Sequence, residues 1–267
     1  MPGDPRAESL QLLGEYAREP DRSVLVRVEM PGTAWESGVA ADDPRPAASL
    51  LKMPLAMAVE RAFAGGDLDP RATVTVRRLL VGDADPGPLH VLGPDLPLTI
   101  ADVLGLCLSL SDRSCAAWLL DAVGLAAVRG IIADLGCDAT VVAVDDGHPG
   151  GPLVGRTTAR DALRMAAAST DAARNPLTAA ALHNTIRSSR IPLGADGLDV
   201  RLAHKTGSLA GVAHDVAIID CVHGTLSLAF LTEDQHDTLV SGYEMGICTR
   251  GLLQAWGLAV RRSRSLA

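Results

Sequence analysis

Asp199-Val-Arg-Leu-Ala-His-Lys-Thr-Gly207, Val212-Ala-His-Asp-Val-Ala-Ile-Ile-Asp-Cys221 and Gly224-Thr-Leu-Ser-Leu-Ala-Phe-Leu-Thr-Glu233 follow one another near the end of the chain. Each is an extended run with Val, Ile, Thr or Phe, and short turns separate them, so they read as three successive strands. A helix over about 237–260 follows them. Outward from this block, the other end of the chain matches it in kind. Residues 7–18 place Leu10, Leu13 and Ala17 along one helical stripe. Ser23-Val-Leu-Val-Arg-Val-Glu-Met30 then alternates and stops at Pro31-Gly32, and Thr33 to Val39 can return antiparallel.

Between the two ends the period changes to helical. Thr99 and Asp102 form a cap signal ahead of an apolar helix. Further helices are expected over 114–123, 125–135, 158–169 and about 176–187. Asp145-Asp-Gly-His-Pro-Gly-Gly-Pro-Leu-Val-Gly155 is too rich in Gly and Pro for regular structure and reads as a loop. The expected fold class is therefore α+β. Residues 1–48 and 199–267 build one five-stranded antiparallel sheet packed by the terminal helices, and residues 49–198 form an inserted all-α domain.

Composition narrows the function. The 267 residues are 48% hydrophobic and 21% charged, enough for a full core in one or two domains. A net charge of −8 without a basic block argues against nucleic acid as a partner. The start, MPGDPRAESLQLLGEYAREPD, has no continuous apolar run, and no segment reads as a membrane span. A cytoplasmic protein is the expectation. Cys107, Cys115, Cys137, Cys221 and Cys248 are odd in number, sit in apolar contexts and lack metal-ligand spacing. They read as reduced, mostly buried thiols, with no metal and no cofactor expected.

One stretch carries unexpected chemistry. In Pro46-Ala-Ala-Ser-Leu-Leu-Lys-Met-Pro-Leu-Ala56, Ser49 and Lys52 stand three apart among small and apolar residues. Pro54 is tolerated only close to a helix start, so the helix begins at or just after Ser49 and both side chains share a face. Unpaired backbone N–H groups there favour a developing negative charge. The same serine is also an ordinary helix cap, and taken alone it carries no more than that. Ser111-Asp112 likewise reads as a cap for the next helix, and Lys205-Thr206-Gly207 as a strand entering a turn.

Together, in this order and context, Ser49-x-x-Lys52, Ser111-Asp112 and Lys205-Thr206-Gly207 are the motif set of penicillin-recognising serine enzymes. The chain resembles the class A β-lactamase family. Leu108-Ser-Leu-Ser-Asp-Arg-Ser-Cys-Ala-Ala-Trp-Leu-Leu120 is similar to that family's Ser-Asp-Asn segment. Gly155-Arg-Thr-Thr-Ala-Arg-Asp161 is similar to the helix entry after its Ω-loop. Ala203 to Asp215 is similar to its Lys-Thr-Gly strand and turn. The resemblance implies an active site in the cleft between the two domains. It implies an acyl-enzyme at Ser49, with Lys52 taking the hydroxyl proton, Lys205 supplying positive charge and Ser111 relaying the proton. It further implies an oxyanion hole from the N–H groups of Ser49 and Ser208. Thr206 and Lys205 would hold a substrate carboxylate, and Gly207 would leave room along the strand edge.

Two departures shape the expected activity. Arg113 stands where the family has Asn, so it has no acceptor and adds charge; either the substrate side chain is altered, for example anionic, or Arg113 turns into solvent and plays no part. The Glu-x-x-Leu-Asn motif of the Ω-loop is missing, with no Glu between Gly136 and Thr158. Asp146 is nearest to that position, one methylene shorter, and His148 is a further candidate base. The expectation is a serine hydrolase acting on a small β-lactam, amide or ester, with weak β-lactam turnover. The alternative is an acylation-only or non-catalytic binding domain. Oligomeric state is left open.

Overall fold

The structure is a computed structural model that describes residues 4–80, 87–145 and 153–260. Helix α1 (Pro5–Tyr16) starts at the Asp4 cap and leads into the hairpin of β1 (Arg22–Met30) and β2 (Thr33–Val39). A two-residue strand, β3 (Arg45–Pro46), precedes a 3-10 turn over Ala48–Leu51, which runs directly into α2 (Lys52–Gly65). The chain continues through β4 (Thr73–Thr75), α3 (Val76–Leu79), β5 (Pro97–Thr99), α4 (Ile100–Ser109) and α5 (Arg113–Asp134). Strands β6 (Val141–Val144) and β7 (Leu153–Thr157) come next, then α6 (Ala159–Ser169), α7 (Pro176–His183) and α8 (Ile191–Ala195). Strands β8 (Val200–Leu209), β9 (Val212–Cys221) and β10 (Gly224–Thr232) and helix α9 (Thr238–Ala255) complete it.

The main sheet has the order β2-β1-β10-β9-β8, all antiparallel, so both ends of the chain build it as their alternation implied. Side chains of period two send alternate residues to opposite faces. Val24, Val26 and Val28 of β1 and Leu226, Leu228 and Phe230 of β10 pack with α1 and α9. Leu25, Val216 and Leu231 face the other way, into the core of the helical block through α6. The sheet is thus buried on both faces.

Three expectations need revision. The middle block, expected as all-α, also carries the β4–β5 pair and the strands β6 and β7, which form a small sheet of order β3-β7-β6 with β3 from the N-terminal segment. The supposed Gly/Pro loop ends in β7, which lies between β6 and β3. Helix α7 stops at His183 rather than near 187. The chain there turns to cap the edge of β8, with Thr185 donating to the His204 carbonyl and the His183 ring against the Leu202 carbonyl.

The expected helices 114–123 and 125–135 form one element with a break at Gly124, whose φ of 77° suits a residue without a Cβ. By length and apolarity α5 meets the criterion for a membrane span, although no such segment was expected. Its Leu119, Val128 and Ile131 are instead buried in the core.

Candidate active site

The turn that carries Ser49 is held from three directions. The Ala47 N–H donates to the Gly155 carbonyl of β7 at 2.8 Å. His214 of β9 donates from Nε2 to the Pro46 carbonyl at 2.6 Å, because its Nδ1 accepts the Thr232 N–H at 3.0 Å. A Cβ built on Gly207 of β8 would come within 3.1 Å of both Ala48 Cβ and the His214 ring. The glycine therefore lets the strand approach this turn. Ala48 itself has φ 47°, a strained value for a residue with a Cβ, immediately before Ser49.

Ser111 is the second strained residue of the site. It lies between the end of α4 and the start of α5 with φ 58°. Asp112 caps α5 by accepting the Cys115 N–H at 2.9 Å. The capping role thus falls to the aspartate, and the serine turns inward.

Two amines converge on it. Lys52 Nζ donates to the Ser111 carbonyl at 2.5 Å and lies 3.2 Å from Ser111 Oγ. Lys205 Nζ approaches the same Oγ at 3.0 Å and donates to the Thr206 carbonyl at 3.0 Å. Both lysines are buried, Lys205 completely. Burial pushes both amines below the ordinary lysine range. For Lys205 the nearby Lys52 charge is the next cause. For Lys52 the Arg113 charge acts in the same sense, against Cys107 and Asp112. Such a pair titrates as a unit, and the two cannot both hold a proton without mutual cost.

A cavity of about 280 Å³ opens beside this pair. Ser49, Lys52, Arg113 and Ser208 line it, and Leu153, Val154 and Gly155 of β7 form one wall. Of the residues singled out in the sequence, Ser49, Lys52, Ser111, Arg113, Lys205 and Ser208 are thus brought to one place. Thr206 is adjacent but 3% exposed, and the fully buried Lys205 makes both its hydrogen bonds inside the protein. Asp146 and His148 lie outside the described residues. His204 is buried against Asp215, at 2.9 Å, away from the cavity lining.

Arg190 was not anticipated. It donates to Ser208 Oγ at 2.7 Å and to the Gly207 carbonyl at 2.9 Å, and it also bonds the His214 carbonyl. Nothing in Thr185-Ile-Arg-Ser-Ser-Arg190 distinguishes it from a surface residue. The apolar β7 wall was equally hidden. Among the described residues no carboxylate lines the Ser49 cavity, and no group of three or more His, Cys, Asp or Glu side chains forms a metal site.

A sheet built from both chain ends, an inserted helical block, and a serine flanked by two buried lysines define the architecture of the penicillin-recognising serine enzymes. The beta-lactamase enzyme family model matches residues 7–246, and the chain belongs to that family. A β-lactamase from Sphaerobacter thermophilus is 30% identical, with 94% of this chain and 97% of that one aligned at a TM-score of 0.79. PBP-A is similar in fold, at 21% identity, 94% and 96% coverage and a TM-score of 0.77. A mutant class A β-lactamase of the last common ancestor of Gram-negative bacteria is similar in fold, at 23% identity, 94% and 99% coverage and a TM-score of 0.72. No curated protein sequence matches the chain.

Proposed function

We propose that the protein is a serine acyltransferase-hydrolase that forms an acyl-enzyme at Ser49 on a β-lactam, or on a related amide or ester, and releases it slowly. The observation that carries this reading is that Lys52 shares the cavity with Ser49 while both lysines bracket the Ser111 hydroxyl.

The chemistry follows from the donor count. A neutral Lys52 amine has two N–H donors, which suit the Ser111 carbonyl and hydroxyl, and one lone pair for the Ser49 proton. As that proton leaves, Ser49 Oγ bonds to the substrate carbonyl carbon. The negative charge that builds on the carbonyl oxygen meets the Ser49 and Ser208 N–H groups, donors of a type worth ~3 kcal/mol each. The C–N or C–O bond then breaks, and the leaving atom takes a proton from the Ser111 hydroxyl, which accepts from both lysines and keeps its own hydrogen to give. Lys52 returns a proton to Ser111. Arg190 and Ser208, at the exposed end of β8, meet a substrate carboxylate, with the Lys205 charge behind them.

Hydrolysis of the acyl-enzyme needs an activated water. Leu153, Val154 and Gly155 offer no base, and among the described residues that line the cavity Lys52 is the base available for that water. Slow release is the consequence, and the partner is a small molecule. The structural neighbours include a PBP-A point mutant recorded as an acyl-enzyme complex with penicillin G, which is the state expected here to accumulate.

Stopped-flow hydrolysis of nitrocefin tests the reading. The expected trace is a burst of one product per protein followed by a much slower steady rate. Rapid turnover without a burst would show that deacylation is not limiting. No reaction with nitrocefin or activated esters would favour a non-catalytic binding domain.

A further inference from the structure

Asp215 is fully buried within β9, and it joins the two segments that carry Lys205 and Arg190. In the β8–β9 ladder Thr206 faces Asp215 and His204 faces Ala217, so His204 and Asp215 are diagonal neighbours on one side of the sheet. Oδ1 of Asp215 accepts from His204 Nδ1 at 2.9 Å. A carboxylate only accepts, so the imidazole hydrogen sits on Nδ1. Oδ2 accepts the Ile191 N–H, the first of α8, at 3.1 Å. His204 directly precedes Lys205, and Ile191 directly follows Arg190. Each oxygen therefore fixes the backbone beside one cation.

The surroundings of Arg190 depend on that hold. Its guanidinium reaches Ser208 Oγ and the Gly207 carbonyl only while the start of α8 stays against the end of β8. On the other side α9 leaves no slack, since a Cβ on Gly242 would come within 3.2 Å of Arg190 Cγ. Charge acts in the same direction. Burial lowers Arg190 and, together with the Lys52 charge, Lys205; the Asp215 charge opposes the shift at both. A carboxylate without exposure is costly unless its oxygens are bonded, and both oxygens here are engaged at these two positions.

We propose that Asp215 is a positioning residue for recognition of the substrate carboxylate, acting through Arg190 and the Lys205 segment without touching substrate. The inference rests on the acyl-enzyme reading in taking the exposed end of β8 as the place of that carboxylate. Removing Asp215 has two effects of opposite sign. Loss of its negative charge strengthens the pull on an anion. Loss of its two hydrogen bonds lets Arg190 leave the geometry that a guanidinium–carboxylate contact requires. The contact is directional, so the second effect outweighs the first.

Benzylpenicillin and its methyl ester test this, because they differ only at the carboxylate. The quantity read is the ratio of their acylation rate constants, acid over ester. The ratio of their non-covalent affinities for Ser49→Ala, with and without the Asp215 substitution, is a second measure by calorimetry. The native protein should favour the acid by about tenfold or more, as for a charge-assisted contact. Asp215→Ala should bring the ratio close to one while acylation by the ester stays within about threefold of native, a split that a general structural defect does not produce. Asp215→Asn should recover most of the ratio, since its amide oxygen accepts the Ile191 N–H and its NH₂ donates to Nδ1 of the other His204 tautomer. In an Arg190→Gln background Asp215→Ala should change the ratio little further, because the two act in series. His204→Leu cuts one tie and fills the position, so it gives the reading if the alanine variant does not fold; there the ratio should fall by about threefold or more.

A ratio unchanged or raised by these substitutions, or an equal loss for acid and ester, overturns the positioning role and leaves the acyl-enzyme reading intact. So does an asparagine variant no better than alanine, or an undiminished effect in the Arg190→Gln background. Equal acylation of the native protein by acid and ester removes carboxylate recognition, and this proposal with it, but not the acyl-enzyme. If neither compound acylates, the acyl-enzyme reading falls and the calorimetric ratio decides the positioning role. If neither binds, both fall.

Discussion

Lys205 Nζ lies 3.0 Å from Ser111 Oγ, although the two residues are 94 positions apart and sit on different layers of the molecule. The contact joins the edge of the main sheet to the helical block at the point where Lys52 also arrives. Sheet and helices are therefore coupled through one hydroxyl, and the predictions below follow from that junction and the turn beside it.

The acylation rate should rise with pH and level off at a midpoint below the ordinary lysine value of ~10.4, because the depressed Lys52 loses its proton earlier than an exposed lysine. Lys52→Met should lower the rate by about 10²–10⁴ and flatten the profile. Removing the neighbouring charge with Lys205→Met makes a protonated Lys52 easier to hold, so its midpoint should move to higher pH. A downward move would show that Lys205 does not act on Lys52 by charge. Stopped-flow acylation between pH 6 and 10.5 measures all three.

Leu153→Glu places a carboxylate on the apolar wall of the Ser49 cavity. If release is limited because no carboxylate among the described residues lines the cavity, the steady-state rate with nitrocefin should increase at least tenfold while the burst rate changes little. Leu153→Gln, with the same shape and no base, should leave the steady rate low. Equal acceleration by both variants would point to loosened packing as the cause.

Gly207→Ala would bring a methyl within 3.1 Å of Ala48 Cβ and the His214 ring, so the Ser49 turn has to shift. The expected loss is about 10–100-fold in acylation, from misplacement of the nucleophile, with ~1–3 kcal/mol of stability from overpacking. Unaltered acylation would mean that the turn tolerates displacement. Chemical denaturation and acylation kinetics on one preparation separate the two effects.

His214 remains neutral in the folded protein down to about pH 4, because burial opposes its charge more than the Pro46 carbonyl favours it. Unfolded chains bind that proton near 6.5. The stabilisation is complete above that value and drains away as pH falls toward 4, by up to about 3 kcal/mol. His214→Asn should flatten this part of the stability profile and lower the melting temperature at pH 7.5, since the Pro46 and Thr232 bonds are lost. Melting curves from pH 4 to 8 show whether the acid-side slope survives.

The main sheet was readable because its strands alternate and are bounded by Pro31-Gly32 and short turns. Helix α4 was readable from its cap, and the Thr99–Asp102 capping box is present. Strands β6 and β7 escaped because their pairing is local and short. Val141–Val144 is brief, and β7 emerges from a Gly/Pro run whose composition indicates irregularity. Sequence order brought Ser49, Lys52, Ser111 and Lys205 under suspicion, yet it could not show that Asp112 takes the cap while Ser111 turns inward. That division depends on the backbone at Ser111, a positive φ that no residue type there announces. Arg190 was illegible for a related reason: its partners are two carbonyls and a hydroxyl of distant strands.

The most direct measurement of the central claim is the intact mass of the protein after brief incubation with benzylpenicillin, compared with Ser49→Ala. The native chain should gain the mass of one penicillin, located by peptide mapping on Ser49, and should lose it slowly. Ser49→Ala should gain nothing. An unmodified native protein that also fails to hydrolyse the drug, or an adduct that persists in Ser49→Ala, would contradict the account.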